Sequence, residues 1–83
     1  MQVEWRRAAR GRDTMSVDGL WRIRAVMFND SIISKMFWLY YRGSRVQWPI
    51  GASYDFSVSE VSMAAVKRWV AVHGSEVVAH NDP

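Results

Sequence analysis

Residues 35 to 41, Lys-Met-Phe-Trp-Leu-Tyr-Tyr, are apolar or aromatic at every position after the lysine. Successive side chains of a strand point to opposite sides of a sheet, so a half-buried strand alternates apolar and polar residues. This one does not. Met36, Trp38 and Tyr40 line one side, and Phe37, Leu39 and Tyr41 line the other. A small chain can cover one face of a short sheet with its own helix but rarely both, so the pattern predicts one face that has to meet something else.

The neighbouring segments predict the rest of a small sheet. Residues 20–28 read as a first strand, with Trp21, Ile23, Ala25 and Met27 on one face and Arg22 and Arg24 on the other. Asn29-Asp30-Ser31 is a turn by composition. Arg42-Gly43-Ser44-Arg45 is the sharpest turn signal, and Gly43-Ser44 as a type II′ loop leads into a third strand, 46–50. Pro49 marks that strand as an edge or an end. In this register Arg42 pairs with Arg45, Tyr41 with Val46, Leu39 with Trp48 and Phe37 with Ile50. Phe37, Leu39, Tyr41, Val46, Trp48 and Ile50 then form a core face. Adding Trp21, Ile23, Ala25 and Met27 to that face requires a first connection longer than the two-residue Asn29-Asp30 turn, or a bulge.

Ser57-Val-Ser-Glu60 matches a capping box and predicts a helix to about His73, with Gly74 just past its end. Its apolar stripe is Val58, Val61, Ala65, Trp69 and Val72. Residues 75–80 read as a short fourth strand. The expected fold class is α+β: a three-stranded antiparallel sheet packed on one C-terminal helix (βββα), with the short strand at 75–80. Residues 1–19 are read as a flexible or partly helical basic arm, 20–80 as a single α+β domain, and 81–83 as a frayed C-terminus. Gly11, Asp13, Ser16 and Asp18-Gly19 interrupt any long helix in the arm. It reads as a disordered tail, as a short helix docking Trp5, or as an arm binding nucleic acid or an acidic partner through Arg6, Arg7, Arg10 and Arg12. Met15 is a second candidate start.

Composition narrows the class. The 83 residues include no cysteine, so disulfides and thiolate metal sites are excluded and a reducing, cytoplasmic setting is expected. Five Trp must supply much of the burial that cross-links would otherwise replace. The longest apolar run is far short of a bilayer span. The net charge of +3 divides into +2 for residues 1–14 and +1 for the rest. A nearly neutral body is a weak funnel for phosphate.

Catalytic chemistry has little to stand on. His73 and His80 are the only histidines, no His-x-x-x-His spacing occurs, and no Gly-x-Ser-x-Gly elbow or glycine-rich phosphate loop is present. Asp55 and Glu60 flank the helix start, where capping accounts for both. The expectation is no enzyme, no metal and no cofactor.

Binding is the better reading. Met36, Trp38 and Tyr40 share a face with Arg22, Arg24, Arg42 and Arg45, the aromatic-plus-arginine composition of protein interfaces. Sheet platforms that stack bases and hold phosphates have the same composition. The plainer alternative is internal packing under the arm or the fourth strand, with arginines stacked on the rings. Three strands backed by one helix over residues 20–74 resemble, in layout only, the arm-binding domains of phage integrases and the plant ethylene-response DNA-binding domain. That resemblance implies duplex reading by sheet side chains; it carries no motif, and fold does not fix function. Small size without a catalytic set also resembles accessory proteins of phages and mobile elements, including anti-CRISPR inhibitors. The expectation is a protein-protein interaction module, an inhibitor or adaptor or a homodimer, with nucleic-acid binding through the face and the arm arginines as the alternative.

Overall fold

The computed structural model describes residues 1–7, 13–27, 35–51 and 57–81. An antiparallel sheet packs against one C-terminal helix. In chain order the elements are β1 (Trp5–Arg7), β2 (Thr14–Ser16), β3 (Trp21–Met27), β4 (Lys35–Tyr41), β5 (Ser44–Arg45), β6 (Ser59–Glu60) and α1 (Met63–Asn81). The strands run in the order β1-β2-β3-β4-β5, and β6 pairs with the same edge of β4 that β5 uses.

The β3–β4 ladder is the centre of the sheet. Trp21 pairs with Tyr41, Ile23 with Leu39 and Ala25 with Phe37. Seven residues separate the two strands, so the first connection is the longer one that this parity requires. Trp21, Ile23, Phe37, Leu39 and Tyr41 are buried with Val46 and Val58, and Val66, Val70 and Val77 of α1 close over them. Met27, expected on this face, is half exposed at the strand end.

The hairpin after β4 differs from expectation. Arg42 and Gly43 both adopt positive φ (51° and 84°), the signature of a type I′ turn, whose twist matches the flanking strands. The loop is therefore Arg42-Gly43, Tyr41 pairs with Ser44, and Tyr40 pairs with Arg45. Relative to the expected register each pair is displaced by two positions along the returning strand. Such a slip preserves face membership, so Val46 remains core while Trp48 and Ile50 lose their predicted partners. Of the predicted third strand, 46–50, only a single bridge, Gln47 to Ser57, remains, and the paired segment is instead β5 at Ser44–Arg45, inside the predicted turn.

That shortening leaves backbone groups of β4 to be satisfied, and the chain returns to do so. Val46 N–H donates to the Leu39 carbonyl (3.0 Å), and Leu39 N–H donates to the Val58 carbonyl (3.2 Å). Val58 N–H in turn donates to the Val46 carbonyl (2.8 Å). Buried backbone groups need partners, so residues 57–60 are held extended here rather than starting the helix. Ser57-Val-Ser-Glu60 is thus not a capping box. Ser62 takes that role, its hydroxyl accepting the Ala65 N–H at 3.2 Å.

The helix also runs past its predicted end. Residues 75–80 are helical, not a fourth strand, and Gly74 is buried within α1. A Cβ on Gly74 would stand 2.7 Å from Met1 Sδ, 3.1 Å from Val70 Cγ1 and 3.6 Å from Trp21 Cζ2. The glycine is there for close approach, and the gain in packing offsets its helix cost of about 1 kcal/mol. The buried stripe is accordingly Val66, Val70, Gly74 and Val77. Val61 and Val72 of the predicted stripe are 61% and 66% exposed.

Residues read as an arm contribute two strands. Trp5 pairs with Ser16 and Arg7 with Thr14, while Thr14 pairs with Ile23. Val3 and Trp5 pack against the core, and the Met1 amine donates to the Ala71 carbonyl at 2.8 Å. Strand rather than helix wins because the β2–β3 turn is well supplied. Gly19, at φ 78°, returns its N–H to the Ser16 carbonyl (2.9 Å). The buried Ser16 hydroxyl accepts the Trp21 N–H (2.9 Å) and donates to Asp18. With β1, β2 and β6 added, the sheet exceeds the three-strand layout on which the likeness to integrase and ethylene-response domains rested.

Candidate functional site

Two-residue periodicity carries one row of side chains across the face of the sheet opposite α1. Arg6 pairs with Met15, Met15 with Arg22, Arg22 with Tyr40, and Tyr40 with Arg45. Directly opposed residues share a face. One continuous strip, Arg6–Met15–Arg22–Tyr40–Arg45, therefore crosses five strands. A second row places Arg24 opposite Trp38, and Trp38 opposite Ser59. Val26 and Met36 form a third.

The arginines are partly organised. The Arg45 guanidinium lies 4.0 Å from the centroid of the Trp38 ring, a close cation–π contact. Arg22 Nε is 3.7 Å from Asp13 Oδ2, and its terminal nitrogen is 3.5 Å from Met15 Sδ. Arg24 is exposed and has no side-chain partner among the described residues. Met36, Trp38 and Tyr40 are all half-buried. Beside the strip lies a shallow groove of about 300 Å³, lined by Met15, Arg22, Arg24 and Tyr40 with Gly19, Leu20 and Gly43 at its end. The face thus offers four guanidinium groups on an apolar and aromatic floor, with Asp13 as a carboxylate beside Arg22.

Six of the seven expected face residues come together: Arg22, Arg24, Met36, Trp38, Tyr40 and Arg45. Arg42 does not join them. The type I′ turn removes it from the strand, and its guanidinium lies 5.8 Å from the centroid of Tyr41, a core-face ring. Of the arm arginines, Arg6 joins the strip and Arg7 faces the other way. Arg7 borders a groove with Lys35 and Lys67 on the helix side of the sheet, which Arg6 also touches at the sheet edge. Arg10 and Arg12 lie outside the described residues. Sequence reasoning missed Met15 and Asp13, while Val26 falls on the face its alternation with Arg22 and Arg24 predicts. The signal for Met15 was the Asp18-Gly19 pair, which reads equally well as a turn between two strands as it does as a helix breaker.

On the opposite side, Trp48, Trp69 and His73 form an aromatic cluster. Trp48 lies 5.5 Å edge-on to Trp69 and 4.8 Å from His73. It anchors the chain after β5 to the helix and explains why Trp48 packs without a strand partner. The buried His73 Nδ1 has no hydrogen-bond partner among the described residues. Among those residues no three His, Asp or Glu side chains gather closely enough to hold a metal ion, and no helix is long and apolar enough to cross a membrane. No family model, curated protein or solved structure matches the chain.

Proposed function

We propose that this protein is a non-enzymatic binding module, an inhibitor or adaptor, whose sheet face recognises another protein carrying a carboxylate-rich surface. The single observation that carries the reading is the strip Arg6–Met15–Arg22–Tyr40–Arg45, in register across five strands. Arginine and aromatic side chains bury large areas at modest entropic cost, which is why they dominate interface hot spots. A rigid sheet presents them without further ordering. Arg45 over the Trp38 ring supports a protein partner, because a ring covered by its own guanidinium offers less open π-face to a stacking base.

Nucleic-acid binding is the second reading, favoured by the arrival of Arg6 on the same face as Arg22, Arg24 and Arg45. Salt separates the two. Four phosphate contacts to a single strand give a slope of log K against log salt of about −3, at roughly 0.7 per contact. A protein interface keeps most of its affinity over the same range. The decisive experiment compares the wild type with Arg24→Glu and Tyr40→Ala as paired baits, with and without nuclease. A partner retained by wild type, lost by both variants and indifferent to nuclease supports protein recognition. Capture that disappears with nuclease overturns it in favour of nucleic acid, and capture unchanged in both variants removes this face from the binding function.

A further inference from the structure

The side of α1 turned away from the sheet carries a pattern whose charged members have no partner among the described residues. Ala65, Arg68, Val72, Glu76 and Ala79 recur at spacings of 3, 4, 4 and 3, so they lie along one stripe of the helix. Val72 is 66% exposed; Arg68, Glu76 and Ala79 are exposed, and Ala65 is half-buried. The spacing reads the same in both directions from Val72, and the charges four residues either side of it are opposite in sign. Arg68 and Glu76 cannot satisfy one another, being eight residues or about 12 Å apart along the axis. Neither forms an ion pair among the described residues.

A stripe that is symmetric in size and antisymmetric in charge is complementary to itself when turned end over end. We infer that two copies of this chain associate through α1, antiparallel, about a two-fold axis passing Val72. Such an interface is isologous: each contact occurs twice. Val72 then faces the Val72 of the second copy, Ala65 faces Ala79, and Arg68 faces Glu76 on both sides of the axis. The alanines allow the two helices to come close, and the paired charges set direction and register, as flanking charges do in coiled coils. A parallel arrangement would oppose Arg68 to Arg68 and Glu76 to Glu76. The helix offers less area than a standard interface, so the dimer forms at protein concentrations of ~10–100 µM rather than nanomolar ones. It leaves the arginine strip of the sheet open, and the pair presents that strip twice.

The test is sedimentation equilibrium of the full chain from ~5 µM to ~1 mM, spanning the affinity expected for so small an interface. The wild type is expected to pass from monomer to dimer over that range. Arg68→Glu or Glu76→Arg alone opposes like charges at two symmetric places and weakens dimerisation about tenfold or more. Arg68→Glu combined with Glu76→Arg restores it to within about threefold, because the pairing is only inverted. The chain has no cysteine, so Val72→Cys supplies a unique thiol on the axis and should cross-link rapidly on mild oxidation. Ala71→Cys, exposed but about 100° around the helix, should not. Cross-linking decides the matter should a charge variant fail to fold. A monomer at every concentration, a dimer indifferent to both charge reversals, or equal cross-linking through positions 71 and 72 would overturn the proposal.

Discussion

The two faces of β4 are built from the same kinds of residue and end in different environments. Phe37, Leu39 and Tyr41 are buried beneath α1 at 8%, 1% and 3% exposure. Met36, Trp38 and Tyr40, one position removed, stay half-buried and are attended by Arg22, Arg24 and Arg45. Hydrophobicity alone does not separate the two sets. What separates them is that one helix can cover one face, and that β3 supplies apolar residues at Trp21 and Ile23 but arginines at Arg22 and Arg24. An aromatic strand face with arginines opposite it is a surface, even where its own side chains match those of a core.

The most direct way to break that comparison is to truncate both faces equally. Leu39→Ala should cost ~3–5 kcal/mol in urea denaturation, through lost transfer energy and the cavity left beneath α1. For a domain near the lower size limit that is most of its stability. Trp38→Ala, although it removes a larger side chain, should cost ~1 kcal/mol while abolishing partner binding. Equal losses would mean that the outer face is packed internally after all.

A second prediction tests how tightly the helix closes on the buried face. Gly74→Leu forces atoms into the space held by Val70 and Trp21 and should destabilise by ~1–3 kcal/mol. Gly74→Ala is close to neutral, since the helix-propensity gain offsets a contact that the flexible Met1 side chain can relieve.

The third concerns the turn that assigns residues to faces. Arg42 occupies a left-handed conformation that costs a side chain ~1 kcal/mol, and Asn-Gly is the preferred type I′ pair. Arg42→Asn should therefore stabilise by ~0.5–1 kcal/mol on thermal or urea unfolding, without changing partner affinity, because Arg42 lies off the strip. A loss of affinity would return Arg42 to the binding face.

The smallest effect belongs to the turn that secures β2. The Ser16 hydroxyl and then the Leu20 N–H hold the Asp18 carboxyl below its usual range. A depressed carboxylate pKa contributes stability that is fully present above about pH 4 and is lost as pH falls through the lowered value. Asp18→Asn should flatten the acid limb of the unfolding profile slightly and leave stability at neutral pH little changed, since the group is exposed and screened.

Much of the sheet was legible from residue order. The bounds of β4, the pairing parity of β3 with β4, and the six residues that share the outer face all follow from two-residue alternation and an apolar count. The helix was legible as a helix but not as to its face. Val58, Val61, Ala65, Trp69 and Val72 are as apolar as Val66, Val70, Gly74 and Val77, and periodicity cannot rank two apolar stripes. The arm was misread for a related reason: three-residue strands leave almost no periodic signal.

By itself the order of residues determined an antiparallel sheet backed by one C-terminal helix, a core centred on Leu39, and an arginine-rich aromatic face. Local alternation and turn chemistry are written residue by residue, so they need no knowledge of neighbours in space. Only the tertiary structure decided where the free edge of β4 finds its hydrogen bonds, which stripe of α1 is buried, and that Arg6 lies in the outer arginine strip while Arg42 does not. Those choices depend on competition between distant segments for the same backbone groups and the same covered area. That competition has no local signature.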